Sequence, residues 1–426
     1  VPSLTGSPGL FALPGLTVPG YLGGSPSPPP PGPYTSTTYG SPFTYKFYDL
    51  VTWDYLGALP LTQVSYSKML NDAGPFQGTL NLSDPRVQAI NPMAICRPGR
   101  TAVFVDYQGF LDYGGVVWTR QYDPSHQTVS IGGSELWSYP EERVQAKDYS
   151  LTWFAPANPM IIAKTVITDA LNKSYSGLSN MIVKINGSVP YHSYVSMSFP
   201  YVQMQTVGSI VQMMQQMGYG IGFDFAVDCV YSAGVPQPIL NLSFPQRGRT
   251  GNNSPLVINT ERCITYQYPE DATQAGNTIY ETSTSAGSQL IIEVCNAALQ
   301  NGYPLLEQLI QHPDINSVAL SNLNTVLKGA AVGDLSIFAY PVITPTATVY
   351  ANDGSVGIGD YNVGDNVRFI IPAQASGKTY DPRFPNGIDT TLRITESDVT
   401  VADEGISTIL HTLNMPTTAQ AIAPPI

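Results

Sequence analysis

The chain has 426 residues, 43% of them apolar and only 12% charged, with 38 glycines, 37 prolines and 26 tyrosines against 19 Lys plus Arg. Soluble domains usually carry about a quarter charged residues, so this composition excludes a coiled coil, a helical bundle and a charged disordered chain, and favours a β-rich, turn-rich protein of about two to four domains. The net charge is −12 and the pI about 4.6, with no Lys/Arg cluster. Both argue against tight electrostatic binding of nucleic acid and suit a channel through which DNA slides without sticking.

No apolar run reaches the roughly 18 residues of a spanning helix. The first residues lack the basic start and continuous apolar stretch of a secretory signal. Residues 1–42 carry no charge, are dense in Pro, Gly, Ser and Thr, and include Pro28-Pro29-Pro30-Pro31. Such a stretch forms neither helix nor central strand. Its apolar anchors, among them Leu10, Phe11, Leu13, Leu16, Tyr21 and Leu22, leave two readings: an extended arm on a neighbouring subunit or plain disorder.

From Phe43 to residue 148 the pattern is strand and turn. FTYKFYDLVTWDYL (43–56) is aromatic and β-branched, and PFQGTLNLSD (75–84) alternates so that Phe76, Gly78, Leu80 and Leu82 share a face. Strands follow in 101–123 and 127–137, a spacing that predicts a small antiparallel barrel. Residues 149–330 read as a mixed α/β middle. PMIIAKTVITDALNK (159–173) opens with proline and predicts a helix. A second helix is expected over 206–217, closed by Gly218. Strands are expected over 219–245 and 256–295, and one or two short helices over 304–328. Residues 331–426 return to strands (TATVYAND, DNVRFIIP, TTLRITESDVTV, ISTILHTL) and end in a loose tail from Met415.

Catalytic spacing is missing. The histidines, His126, His192, His312 and His411, form no metal-ligand motif. Cys96, Cys229, Cys263 and Cys295 have no CxxC spacing, which predicts buried free thiols. Ser65-Tyr66-Ser67-Lys68 fits the serine–lysine pattern SxxK but lies in a strand without its usual partner motifs. Glu135, Glu141, Glu142, Glu293, Glu307 and Glu404 are the acids available to a glycosidase, and nothing in their spacing pairs them. The Asp/Asn/Gly-rich stretch 352–366 lacks calcium-loop order and reads as two tight hairpin turns. No catalytic, cofactor-binding or metal-binding residue is therefore assigned.

Three spaced patterns resemble a known family. Phe76, Gly78 and Leu80 form "F-x-G-x-L". Val103, Val105, Asp106, Gly109, Gly114 and Val116 form "V-x-V-D-x-x-G-x-x-x-x-G-x-V". Val129, Ile131, Gly133, Leu136 and Trp137 form "V-x-I-x-G-x-x-L-W". Together they resemble the N-terminal region of tail hub proteins, or minor tail proteins, of long-tailed phages (siphoviruses) of actinobacteria. Gly364-Asp365-Asn366-Val367-Arg368-Phe369 resembles the first strand of that family's late β-barrel, and Leu392-Arg393-Ile394 with ISTILHTL its closing strands. The resemblance covers about half the chain.

The resemblance implies a mainly β fold with two small antiparallel barrel-like domains, 43–148 and 331–426, flanking the mixed middle. It implies a structural, non-enzymatic virion protein of the tail tip, similar to the baseplate hub of contractile-tailed phages and to the base of the type VI spike. In that family a homotrimer forms a pseudo-sixfold ring that fits a sixfold tube to a threefold tip. Its partners are distal tail, tail-tube and other tail-tip proteins, and DNA only passes through the lumen. The chain would be made in the host cytoplasm and would not insert stably in a membrane. Expected core residues are Phe76, Leu80, Val103, Val105, Val116 and Trp118 in the first barrel, and Val367, Phe369, Ile371, Leu392 and Ile394 in the second. The competing readings are a tail-associated cell-wall hydrolase and a receptor- or carbohydrate-binding tail protein.

Overall fold

The computed structural model describes residues 41–189, 195–215, 223–250, 256–273, 275–285, 288–295, 303–311, 331, 335, 338–339, 341–377, 380–403 and 406–414. The expected arm lies outside these residues except for its last two, and the expected C-terminal tail lies outside them entirely.

The chain opens with β1 (Phe43–Asp49), β2 (Tyr55–Ala58), β3 (Leu61–Met69) and β4 (Pro75–Asn81). One-turn helices α1 (Pro85–Gln88) and α2 (Pro92–Ile95) lead to β5 (Thr101–Tyr107), β6 (Phe110–Asp123) and β7 (Thr128–Glu135). Aspartate sets the β5–β6 hairpin: Gln108 and Gly109 both have positive φ, as a two-residue turn of this hand needs, and the Gly109 N–H donates to Asp106 Oδ1 at 2.7 Å.

The middle holds α3 (Ser138–Glu141), β8 (Tyr149–Ala157), α4 (Pro159–Leu171), β9 (Ile182–Asn186), β10 (Val195–Phe199), α5 (Val207–Gln215), β11 (Asp224–Ser232) and β12 (Val235–Ser243). Both helices predicted here are present. Asn158 caps α4 through its side-chain oxygen, 2.9 Å from the Met160 N–H, and proline occupies the first turn. The expected closing Gly218 lies outside the described residues.

Short strands follow: β13 (Val257–Asn259), β14 (Thr265–Gln267), β15 (Glu270–Asp271), β16 (Thr278–Ser285), β17 (Ser288–Cys295), β18 (Glu307–Gln311) and β19 (Val342–Ile343). The last stretch gives β20 (Thr346–Tyr350), β21 (Asn366–Ile371), β22 (Ile388–Thr400) and β23 (Thr408–Asn414). The helix expected from residue 304 is corrected at 307–311, where β18 pairs in parallel with β16, Glu307 beside Thr278. Its burial alternates with period two, the strand signature; residues 312–330 lie outside the described ones.

The fold is mainly β, as expected. Among the described residues, the largest sheet runs β14-β20-β23-β22-β3-β4-β7-β6-β5-β1-β2, with β21 and β13 branching from β22. The long β22 is the joint. Its first half pairs with β21, Asn366 opposite Arg393, and its second half with β3, Thr400 opposite Ser65. The N-terminal and C-terminal β segments therefore meet edge to edge. One apolar core draws on both, including Phe76, Leu80, Val103 and Val105 together with Val367, Phe369, Ile371, Leu392 and Ile394.

Strands β1 and β5 are buried on both faces. Phe43, Tyr45, Phe47, Val103 and Val105 face that first core. Tyr48, Ala102 and Phe104 face a second core, which holds α4, α5 and the inner side of the β9–β12–β11 sheet. Val116 belongs to this second core, not to the first as expected. Trp118 is a larger correction: it is 37% exposed. The β6–β7 register slips between Val117 and Thr119. This bulge puts Val117 inside and turns Trp118 out, where its Nε1–H donates to Ser138 Oγ at 2.8 Å.

Candidate functional site

The densest polar chemistry lies where the middle meets the C-terminal strands. The turn after β12 delivers Arg247, Gly248 and Arg249 to the loop preceding β21. The Arg247 N–H donates to Asp224 Oδ2 at 2.7 Å, and its guanidinium bonds Asp228 and the Val363 carbonyl. Arg249 is held by Asp365, through its N–H at 2.6 Å and Nε at 3.1 Å. Asp365 also accepts from the Asn362 N–H at 2.9 Å. From β22, buried Arg393 pairs with Asp224 and donates to the carbonyls of Gly364 and Arg247, both at 3.0 Å. The Gly-Asp pair that carries part of the family resemblance is thus the socket for an Arg-Gly-Arg plug.

The plug fits because two glycines pass backbone against backbone. Gly248 has φ +91°, and a Cβ on it would lie 2.4 Å from the Gly364 carbonyl carbon and 2.5 Å from the Asp365 nitrogen. Gly109 has the same φ with open space around it. Gly109→Ala should therefore cost only about 1–2 kcal/mol of backbone strain, whereas Gly248→Ala should cost more than about 3 kcal/mol because the backbones must part. Urea unfolding of the two variants measures the difference, and equal costs would refute the close-approach account.

A second polar row lies in the seam between the two β segments. Lys68 of β3 pairs with Asp112 of β6 at 2.6 Å and sits over the Tyr361 ring, 4.3 Å from its centroid. Burial is the largest single influence and works against the Lys68 charge, but Asp112 and Tyr361 together outweigh it and hold its pKa above the ordinary value. Tyr66 donates to the other Asp112 oxygen at 2.7 Å. Ser67 bonds Asp398 of β22. His411 stacks edge-on against Tyr361, centroids 4.5 Å apart. Its Nε2 lies 3.1 Å from the Val356 carbonyl and Nδ1 2.9 Å from Ser397 Oγ. A carbonyl only accepts, so Nε2 carries a proton; burial disfavours a second proton on Nδ1, pulling the pKa down to about 4.

Beside the seam is a cavity of about 280 Å³ lined by Lys68, Asp112, Glu135, Asp228, Cys229 and Arg247 among others. Glu135 accepts from the N–H groups of Gly74 at 2.8 Å and Met69 at 3.2 Å, yet burial dominates and raises its pKa to about 8. A third buried pair, Lys46 with Asp106 at 2.7 Å, takes Tyr231 of β11 as a further partner at 2.6 Å. These groups are spent on one another, tying β1, β3, β6, β11 and β22 together.

The acids weighed from sequence do not converge on a site. Glu135 is buried, Glu141 half-buried, and Glu142 and Glu307 exposed; Glu404 and the Glu293 side chain lie outside the description. Ser65 is exposed on β3, and three residues along a strand Lys68 points to the other face, toward Asp112. His126 is exposed and bonded to Asp123 at 2.7 Å; His192 and His312 lie outside the described residues. Cys96 and Cys229 are buried free thiols and Cys263 is partly buried, its pKa pushed up to about 11 by burial; the Cys295 side chain is not among those described. The stretch 352–366 is a run of turns but not two hairpins, since β20 pairs with β14 and β23, and β21 with β13 and β22. Its Asp353 carboxylate accepts from the Ser355 N–H at 2.8 Å and the Val356 N–H at 3.1 Å.

No protein-family model and no curated protein sequence matches the chain. Solved structures do. A tail protein from Neisseria meningitidis MC58 superposes with a TM-score of 0.54 at 12% identity, over 88% of this chain and 99% of that one. The 43 kDa tail protein of prophage MuSo2 from Shewanella oneidensis superposes with a TM-score of 0.57 at 13% identity, over 88% and 98%. The fold is that of phage tail proteins. At this identity the likeness lies in the course of the backbone. The tail-protein fold here is closed by the Arg-Gly-Arg plug and the β3–β22 seam. No local motif marks Arg247 and Arg249 in the sequence; the signal that would have placed them is the matching pair of glycines, Gly248 and Gly364.

Proposed function

We propose that the chain is the tail-tip hub of a long-tailed phage of actinobacteria. Three copies form a ring that adapts a sixfold tail tube to a threefold tip and surrounds the path of the ejected DNA. The role is structural, without catalysis, and the ring binds tail-tube or distal tail proteins above and tip proteins below. Each copy contributes two β units, 43–148 and 331–426, and the middle braces them from one side.

The observation that carries this reading is the β3–β22 junction. It sets two β-rich segments edge to edge in one sheet over a common core, the arrangement by which three chains can present six similar units. The tail-protein fold supports it, as does the net charge of −12, which disfavours DNA adhering to the lumen. The test is the copy number per particle, by quantitative mass spectrometry of purified virions against the major tail-tube protein. Three copies are expected, together with a solution mass of three times the 45.9 kDa chain. Absence from particles removes the virion reading, and a different copy number removes the ring.

A further inference from the structure

We propose that Lys68 and Asp112 condense into an intramolecular isopeptide bond that fastens β3 to β6. Lys68 Nζ lies 2.6 Å from Asp112 Oδ1, and the two side chains are 13% and 1% exposed. Their strands are separated in the sheet by β4 and β7, so the bond adds a tie that the backbone ladder does not make. It would hold β3, the strand that carries the β3–β22 junction, and constrain the unfolded chain as a disulfide does. The thiols of Cys96, Cys229 and Cys263 are free.

An ammonium and a carboxylate in water do not condense, because both stay charged. Burial disfavours both charges, and passing the proton from Lys68 to Asp112 leaves a neutral amine against a neutral acid. The ion pair is the resting form, but burial opposes the Lys68 charge and brings the neutral pair within reach as a minor state. Three neighbours suit that state to reaction. Tyr66 donates to Asp112 Oδ2 at 2.7 Å, where a donor polarises the carbonyl and steadies a developing oxyanion. The Tyr361 ring, its centroid 4.3 Å from Nζ, limits the travel of the lysine. Glu135 lines the same cavity as Lys68 and Asp112. Its Oε2 takes the Gly74 and Met69 N–H groups, which leaves Oε1 to carry the proton of the neutral acid, the form that burial favours.

The step balances without an oxidant or a cofactor. The Lys68 amine attacks Asp112 Cγ, and a C–N bond forms as the carbonyl electron pair moves onto the oxygen bonded by Tyr66. Glu135 takes a proton from the nitrogen and gives one to the remaining hydroxyl. The C–O bond breaks, water leaves into the cavity of about 280 Å³, and a neutral amide replaces an ammonium and a carboxylate. Removing both charges from a dry site draws the reaction forward. Lys46 and Asp106 are the internal comparison. They are as close, at 2.7 Å, but Asp106 also accepts from Tyr231 and from the Gly109 N–H, donors that hold it as a carboxylate, so no bond is expected there. The inference does not depend on the ring geometry proposed above.

The test is the intact mass of the purified full-length chain under denaturing conditions, with peptide mapping by tandem mass spectrometry. The chain should be lighter than its sequence by one water, and digestion should yield a branched peptide joining Lys68 to Asp112. Lys68→Met and Asp112→Ala should restore the full mass. Tyr66→Phe and Glu135→Gln keep both reacting groups; with cooperative urea unfolding to show that they fold, each should leave most of the chain at the full mass. A wild-type chain of full mass, a water loss that maps to Lys46 and Asp106 or elsewhere, or complete condensation in the Glu135→Gln chain overturns the proposal.

Discussion

Arg393→Met should destabilise the fold by about 3–5 kcal/mol, because it removes one member of a buried ion pair and leaves the other charged. Arg393 is 4% and Asp224 7% exposed. The partners of the guanidinium include the Asp224 carboxylate and the carbonyls of Gly364 and Arg247. Methionine keeps much of the stem's volume, so the loss reads the polar contacts rather than a cavity. Asp224 would retain the Arg247 N–H at 2.7 Å and Asn71 Nδ2 at 3.2 Å, too little to replace a cation in a dry site. Asp224→Leu should cost a similar amount for the converse reason. The double variant Asp224→Leu/Arg393→Met should cost distinctly less than the sum, since neither charge is then stranded. Urea midpoints of the four proteins complete the cycle. Additive losses would show that the pair does not act as a unit.

Much of the fold was legible because strand alternation survives at the level of single residues. Phe76, Gly78 and Leu80 share the buried face that the period-two pattern assigns them. Val367, Phe369 and Ile371 do the same on β21. Helix α4 was legible from the proline that opens it. The failures have local causes. Trp118 was assigned to the core because an unbroken strand would place it beside Val116, and a bulge is not visible in hydrophobicity. Val116 is buried as expected but on the opposite face, because β6 separates two cores and each face of a doubly buried strand looks alike in sequence. Residues 307–311 (Glu-Gln-Leu-Ile-Gln) alternate in burial but not in polarity, so they were absorbed into a longer expected helix; the parallel partner β16 that decides the matter lies about thirty residues earlier. The candidate site was the least legible part. Some of its partners are separated by more than a hundred residues, as Arg249 is from Asp365, and others by about twenty or more, so spacing rules that detect local motifs do not reach them. Gly248 and Gly364 were the accessible clue, since both must accept positive φ and a near-contact of main chains.

Stability should be flat between about pH 4.5 and 6.5 and then fall toward pH 8, because two buried groups oppose each other and one of them then stops. His411 has a folded pKa near 4 against an ordinary 6.5. Between these values the unfolded chain binds a proton that the fold refuses, so stability is lost as pH drops, by about 1.4 kcal/mol per pH unit. Glu135 has a folded pKa of about 8 against 4.5. Between these values the fold keeps a proton that the unfolded chain releases, so stability is lost as pH rises, at the same slope. From pH 4.5 to 6.5 the two slopes cancel. Above 6.5 His411 is neutral in both states while Glu135 still acts, contributing a decline of about 2 kcal/mol by pH 8. Below 4.5 the His411 loss continues and is joined by Asp49 and Asp389, whose pKa values lie below the ordinary one with side-chain bonds from Arg100 and Arg368 holding the charged form. Glu135→Gln keeps an oxygen to accept from the Gly74 and Met69 N–H groups and cannot ionise, so its urea midpoint should no longer fall between pH 6.5 and 8, and its acid-side loss should begin at 6.5 instead of 4.5. His411→Gln should do the reverse: its stability should decline steadily from pH 4.5 to 8. A Glu135→Gln protein with the wild-type alkaline decline would mean that Glu135 is already ionised in the fold, and that the cavity it lines is wet enough to solvate a carboxylate beside Lys68 and Arg247.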